Sequence, residues 1–177
     1  YAGGTALTAG AITVGANAAL GTGGLVMTGG TTLNAGVADL ALANAVTTLG
    51  VGTVNTGAFT FTLNGVVDGA GSITKVGAGN LVLNGANSYA GGTALTTGTI
   101  TVGTSTALGA GRLTATGGTN LVAGVTGLNL ANLVTLNGGL TVDSTTGSFE
   151  LSGIVGGAGS ITKINSGDLI LSGVNTY

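Results

Sequence analysis

The sequence predicts an all-β fold, a right-handed parallel β-helix (β-solenoid), and three observations lead to this class. Residues 89–176 repeat residues 1–88 without a gap, and 51 of the 88 paired positions are identical. Short apolar–polar alternations follow one another along the chain, each stopped by glycine. The composition combines 38 glycines and no proline with 44% hydrophobic and 5% charged residues. A disordered chain has the reverse balance of apolar and charged residues.

A long internal repeat is typical of solenoids, in which each unit buries its apolar face only against its neighbours. We therefore expect β-solenoid repeats at 1–88 and 89–176 that form one continuous solenoid, with Tyr177 as the first residue of a third repeat. Each 88-residue repeat would hold roughly four coils of about 22 residues. Stacked strands lie about 4.8 Å apart, so four coils would advance the solenoid axis by roughly 19 Å.

Strand signals follow one another closely in the first copy. Segments rich in Thr, Val, Ile and Leu and bounded by Gly, Asn or Ala-Gly occur at 5–8, 11–14, 25–28, 31–34, 59–64, 72–76 and 80–84. Residues 37–49 have some helical spacing, but their counterparts 125–137 contain Gly127 and more Asn and Thr, so we expect strands there too. Alternation places Phe59, Phe61 and Leu63 on one inward face. An antiparallel sandwich is the alternative, but it needs longer strands.

Composition excludes several functions. Three basic residues cannot form the stripe that a phosphate backbone or an anionic membrane requires, so we expect no nucleic-acid partner. The chain lacks histidine and cysteine, and none of its five acids recurs in both copies. We therefore predict no catalytic, metal or cofactor-binding residue and no small-molecule substrate. Calcium-binding coils repeat an aspartate after a glycine pair, whereas Gly3–Gly4 and Gly91–Gly92 precede Thr-Ala-Leu.

Charged, aromatic and amide residues that return in both copies mark structural positions of the repeat. They are Tyr1, Tyr89, Tyr177, Lys75, Lys163, Asn87 and Asn175. We expect the lysines at strand ends with their ammonium groups in solvent. The tyrosines should pack on a neighbouring coil, with hydroxyls reaching solvent or an asparagine. The asparagines suit left-handed turn positions and hydrogen-bonded turn stacks. A ligand-binding row of lysines or ladder of tyrosines is the alternative.

Two segments carry a more specific pattern. Residues 69–103 read GAGSITKVGAGNLVLNGANSYAGGTALTTGTITVG, and residues 157–177 read GAGSITKINSGDLILSGVNTY. Both resemble the autotransporter-associated β-strand repeat of large secreted or surface-displayed bacterial proteins, which are often adhesins. The resemblance implies a right-handed β-helix repeated along a stalk outside the cell, and it implies no activity.

The expected function is therefore structural. We expect a repeat of an extracellular bacterial surface protein that forms a β-solenoid stalk or filament, adhesive or matrix-forming and without catalysis. Its partners would be further copies of itself, in one chain or head to tail, because the ends of this segment would expose open coils. The isolated protein should then elongate or aggregate. The alternative is an adhesin module that recognises glycans or like cells through faces lined by Thr, Asn and Tyr. An ice-binding solenoid is less favoured, because Gly and Ala interrupt the threonine rows.

Overall fold

In the computed structural model, which describes residues 1–145 and 147–177, the chain forms 22 short strands. The strands of the first copy are β1 (Thr5–Leu7), β2 (Ala11–Val14), β3 (Leu25–Met27), β4 (Thr31–Ala35), β5 (Leu40–Leu42), β6 (Val46–Thr48), β7 (Val51–Asn55), β8 (Thr60–Leu63), β9 (Val67–Asp68), β10 (Ser72–Val76) and β11 (Asn80–Leu83). Those of the second copy are β12 (Thr93–Leu95), β13 (Thr99–Val102), β14 (Leu113–Ala115), β15 (Thr119–Ala123), β16 (Leu128–Leu130), β17 (Val134–Leu136), β18 (Gly139–Asp143), β19 (Phe149–Leu151), β20 (Val155–Gly157), β21 (Ser160–Ile164) and β22 (Leu169–Leu171). The described residues contain no helix of the length and hydropathy needed to cross a bilayer.

The strands pair in parallel with strands one coil away, which confirms the β-solenoid. Thr5 pairs with Leu25, and Leu25 in turn pairs with Val46 on the following coil. The closest pairing along the sequence joins Asn80 to Thr99. A coil therefore contains slightly fewer residues than the roughly 22 predicted from the sequence. The right-handed sense of the coil stays a prediction.

Each coil has three faces, which we number in chain order. Face I contains β1, β3, β6 and β9 and later β16, β19 and β22; face II contains β2, β4, β7, β10, β12, β14, β17 and β20; face III contains β5, β8, β11, β13, β15, β18 and β21. Between its two sheets, face I continues without regular strands. There the Ser88 amide donates to the Val67 carbonyl, and the Asn129 amide donates to the Ser105 hydroxyl.

The 88-residue period is not a whole number of coils. Strand β1 lies on face I, but its counterpart β12 lies on face II. In the same way β2 on face II corresponds to β13 on face III, and β5 on face III corresponds to β16 on face I. One copy therefore spans four coils plus one face. Equivalent residues of the two copies lie on different faces, a third of a turn apart.

Alternate residues of each strand fill a continuous core. Phe61, for example, lies between Leu40 and Leu81 in one inward column of face III, and all three are at most 1% exposed. Phe59 departs from the predicted inward alternation. It precedes β8 at a corner and is 37% exposed, so only Phe61 and Leu63 of that segment point inward.

Candidate functional site

The candidate site is a shallow groove that the motif Tyr-Ala-Gly-Gly-Thr-Ala-Leu forms in each copy. Groove 1, of about 370 Å³, is lined by Ala2, Gly3, Gly4, Thr5, Ala6, Gly24, Leu25, Val26, Ala45 and Thr47. Groove 2, of about 240 Å³, is lined by Ser72, Ile73, Gly91, Gly92, Thr93, Ala94, Arg112 and Thr114. Six of the lining positions are equivalent in the two grooves. The groove therefore recurs in both copies, on face I in the first and on face II in the second.

Glycine is required at the floor of both grooves. Gly4 and Gly92 have positive φ angles of 78° and 85°, a region that side-chain-bearing residues rarely adopt. A Cβ on Gly92 would also lie 2.5 Å from the Arg112 carbonyl oxygen of the next coil. The glycine pair therefore lets the coils stack closely, and the groove is the depression left where side chains are missing.

The two grooves differ in charge at one rim position. Gly24 of groove 1 corresponds to Arg112 of groove 2. Arg112 is exposed, and its Nη1 donates to the Thr135 hydroxyl oxygen at 2.5 Å. No ion pair involves Arg112 within the part of the chain that the structure describes. Groove 2 therefore joins an unpaired positive charge to hydroxyl groups, an arrangement that can hold an anion.

Lys75 is buried inside the coil, so the expectation of an ammonium group in solvent is wrong for this residue. It faces inward from β10 between Val54 of β7 and Leu95 of β12. Its Nζ donates to the carbonyl oxygens of Gly77 at 2.7 Å, Thr97 at 3.0 Å and Val76 at 3.2 Å. Burial lowers the pKa of Lys75 from 10.5 to about 8.

Lys163 repeats part of this arrangement on another face. It lies in β21 on face III, beside Val142 of β18, whereas Lys75 lies on face II. Its Nζ donates to the carbonyl oxygens of Ile164 at 2.6 Å and Asn165 at 2.8 Å. These two bonds correspond to the bonds that Lys75 makes to Val76 and Gly77. The two lysines do not form a row along one face.

The tyrosines also lie on different faces and form no ladder. Tyr89 on face I is fully buried, and its hydroxyl is hydrogen-bonded to the Thr93 hydroxyl at 2.6 Å. The expected contact with solvent or an asparagine is therefore wrong for Tyr89. Tyr1 makes the equivalent bond to Thr5 but is 68% exposed. Tyr177 follows Thr176, which forms a β-bridge to Gly156 of face II, and Tyr177 is 45% exposed. Burial raises the pKa of the Tyr89 phenol above its ordinary value.

Asn87 joins three successive coils through its buried side-chain amide. Its Oδ1 accepts from the Val67 amide at 2.7 Å, and its Nδ2 donates to the Ala107 carbonyl at 2.6 Å. Asn175 makes the first of these bonds, to the Val155 amide at 2.8 Å. The expected hydrogen-bonded stacking of these positions is present. The left-handed backbone is not, because the described non-glycine residues with positive φ are Asp39 and Asn165.

Sequence reasoning missed a second amide position, which the segment Leu-Ala-Asn at 42–44 and 130–132 marks in both copies. Asn44 is 6% exposed, and its Nδ2 donates to the carbonyl oxygens of Gly21 and Gly23. Asn132 makes the equivalent bonds in the second copy. These amides bond to carbonyl groups of the preceding coil, so their role is structural.

Outward columns of polar residues run along two faces. On face II the column is Thr32, Thr53, Thr74, Ala94, Thr114, Thr135 and Gly156. On face III it is Thr60, Asn80, Thr99, Asn120, Thr141 and Thr162. The neighbouring column of face III includes Val82, Val122 and Asp143. Threonine therefore does not form two adjacent regular rows, which weakens the ice-binding alternative.

The acidic residues are dispersed, and the carboxylates of Glu150 and Asp143 are engaged locally. Glu150 accepts hydrogen bonds from Asn129 Nδ2 at 2.9 Å and from the Ser172 hydroxyl at 2.5 Å. Hydrogen bonds from the side chains of Asn165 and Thr145 hold the pKa of Asp143 below its ordinary value. Over residues 1–145 and 147–177, no group of three His, Cys, Asp or Glu side chains is placed to hold a metal ion.

The comparisons with known proteins identify the repeat pattern. Residues 73–102 and 161–177 match the family model described as passenger-associated-transport-repeat. The resemblance predicted from the sequence is thus confirmed for these two segments, which carry the passenger-type repeat pattern. The adhesin BmaC autotransporter of Brucella suis biovar 1 (strain 1330) is 34% identical over 108 residues, which are 60% of this chain and 3% of that relative. The chain thus spans only a small part of the relative's length. No solved structure gives a significant match.

Proposed function

We propose that the chain is a structural segment of an extracellular bacterial surface protein, a β-solenoid stalk that carries no catalysis and serves adhesion or matrix formation. The observation that carries this proposal is the unbroken pairing across the copy boundary. Strand β10 of the first copy pairs with β12 of the second, and β11 pairs with β13. Copies joined in this way add length to one rod. The Brucella relative is an adhesin autotransporter, which supports a surface role.

The length of chains with different copy numbers tests this proposal. Each copy spans four coils plus one face, so at about 4.8 Å per coil it should add about 21 Å to the rod. We expect electron micrographs of two-, four- and six-copy chains to show rods of constant width whose length rises by this increment. Compact particles whose width grows with copy number would contradict the proposal.

We further propose that the partners of this segment are other copies of itself. The Lys163 ammonium makes the two local bonds of the lysine arrangement. At Lys75 the third bond comes from Thr97, in the next coil. A coil stacked on β21 and β22, from the same chain or from a second chain, would present the equivalent carbonyl. Sedimentation of the 177-residue protein at tens of micromolar should show elongated oligomers, and a stable monomer would contradict end-to-end stacking.

Recognition of neutral glycans or like cells is a second candidate function. The observation in its favour is the column of Thr and Asn on face III, which presents hydroxyl and amide groups at every coil. The buried Tyr89 cannot contribute to such a surface. A glycan array tests this candidate. Binding that is lost when Thr99 and Thr141 are replaced by valine would support it, whereas silence across the array would leave the purely structural role.

A further inference from the structure

We propose that groove 2 is a binding site for the carboxylate of an acidic sugar, with Arg112 as the recognition residue, and that groove 1 lacks this capacity. This inference does not depend on the rod function. It concerns the position at which the two copies differ in charge, in grooves that share six equivalent lining positions.

The fold does not require arginine at this position. The equivalent residue of the first copy is Gly24, at the rim of groove 1, and the chain forms the same parallel ladder there. Arg112 is exposed and is the chain's one arginine. It has no ionic partner within the part of the chain that the structure describes. One of its five N–H donors is engaged, by Thr135. The remaining guanidinium edge can pair with both oxygens of a carboxylate.

Hydroxyl groups that line the same groove as Arg112 suit the rest of a sugar ring. Ser72 and Thr114 line groove 2, and neither hydroxyl has a hydrogen-bond partner among the described residues. The hydroxyl of Thr93 is already engaged with Tyr89 and the Leu108 carbonyl. Two free hydroxyls in one groove with an unpaired guanidinium match a ligand that combines a carboxylate with hydroxyl groups. In groove 1 the residue equivalent to Thr114 is Val26.

The groove favours a sugar over an acidic peptide. Its volume of about 240 Å³ lies below the range of about 300–1,000 Å³ typical of pockets for drug-sized ligands. Peptides commonly add to a free sheet edge or insert apolar anchors. The floor of groove 2 is an interior part of face II, where β12 already pairs with β10 and β14. No aromatic side chain lines the groove. A small polar ring therefore fits better than an extended chain.

Calorimetric titration of the full 177-residue chain with 3′-sialyllactose and with a glucuronate-terminated disaccharide tests the proposal. Each sugar is paired with its carboxyl-reduced form. At least one acidic sugar should bind with one site per chain, and its reduced form should bind about tenfold or more weakly, because a charge-assisted bond is lost. Arg112→Gly, which makes groove 2 resemble groove 1, should abolish binding, and Arg112→Lys should retain part of it.

A gain-of-site variant separates recognition from folding. Gly24→Arg places a guanidinium at the rim of groove 1, where an added Cβ meets only the Ala45 carbonyl oxygen at an ordinary 3.5 Å. With Val26→Thr it should raise the stoichiometry from one to two. Thermal melts should show that all variants stay folded. The proposal is overturned if neither acidic sugar binds, if Arg112→Gly binds equally well, if the reduced sugars bind as tightly, or if a glutamate-rich peptide binds more tightly than the sugars.

Discussion

The ammonium group of Lys75 donates a 3.0 Å hydrogen bond to the main-chain carbonyl of Thr97, across the boundary between the two copies. Lys75 belongs to the first copy and Thr97 to the second, one coil further along the axis. With the Val76 and Gly77 carbonyls, Thr97 supplies the third partner of a buried cation. In the first copy the recurring lysine is therefore a link between coils and not a surface group.

Burial of Lys75 predicts that stability rises with pH in the alkaline range. The folded-state pKa is about 8, below the ordinary 10.5. Between these values the unfolded chain binds more protons than the folded chain, so the free energy of unfolding increases with pH. We expect a rise on the order of 1–3 kcal/mol across this window. Urea unfolding at pH 7, 8.5 and 9.5 measures most of it.

Lys75→Met should remove this rise, and Lys163→Met is the matched control that should keep it. The measurements stay below pH 10 because above that value the ionisation of Tyr89 changes the free energy of unfolding in the opposite direction. Its raised pKa keeps the folded phenol protonated while the unfolded phenol ionises, which lowers stability as pH increases. An equal pH dependence in wild type and Lys75→Met would show that Lys75 does not titrate in this window.

The fold could be predicted from the sequence because alternation, glycine stops and the repeat all reflect one requirement, the stacking of identical coils. The inward position of Lys75 also follows from the alternation of inward and outward residues, since Lys75 falls two residues after the buried Ile73. The general rule that charged residues face solvent predicted an outward Lys75, which is wrong. The alternation of the strand, and not the polarity of the side chain, decides that Lys75 points inward. Comparison of Gly24 with Arg112 could have marked groove 2, but only the structure shows the groove around them.

The rotation between copies could not be read from the sequence. A repeat length states how many residues separate equivalent positions, whereas the coil length depends on how many residues each corner takes. The number of residues between paired positions varies from coil to coil. Four coils use fewer residues than the 88 of one copy, so each copy continues over one further face and leaves a remainder of one face. That remainder separates Lys75 from Lys163 and groove 1 from groove 2. Surface features that recur in the sequence are therefore distributed around the rod.

Replacement of Asn87 by alanine should destabilise the chain strongly. The Val67 amide and the Ala107 carbonyl would both lose their partner inside the coil, and each buried unpaired group costs about 1–3 kcal/mol. We expect a total loss of about 2–5 kcal/mol in the free energy of unfolding, measured by urea titration. Asn84→Ala is the control: its amide bonds to Asn64 at the surface, and surface changes of this kind usually stay within about 0.5 kcal/mol. Equal losses in the two variants would refute the bridging role of Asn87.

Two glycine-to-alanine changes should have opposite effects. A Cβ on Gly65 would lie 2.1 Å from the Asn44 carbonyl oxygen of the preceding coil, so the coils would have to separate. Overpacking of this kind costs about 1–3 kcal/mol or more. Gly15 has no atom within 4 Å of its added Cβ and no positive φ. Gly15→Ala should therefore leave stability unchanged or raise it by up to about 1 kcal/mol through the unfolded state. Thermal melts of both variants measure the contrast, and tolerance of Gly65→Ala would contradict the close stacking.

The rotation of one face per copy can be measured with spin labels. Thr53 and Thr135 lie in one outward column of face II, four coils apart, so their backbones should be about 19 Å apart. Thr141 is the equivalent of Thr53 in the second copy, but it lies on face III. A whole number of coils per copy would instead place Thr141 directly above Thr53. Labels at 53 and 135 should therefore give the shorter distance by pulsed electron resonance, and labels at 53 and 141 the longer one. The reverse order would show that the copies are stacked without rotation, and that lysines, tyrosines and grooves form rows along single faces.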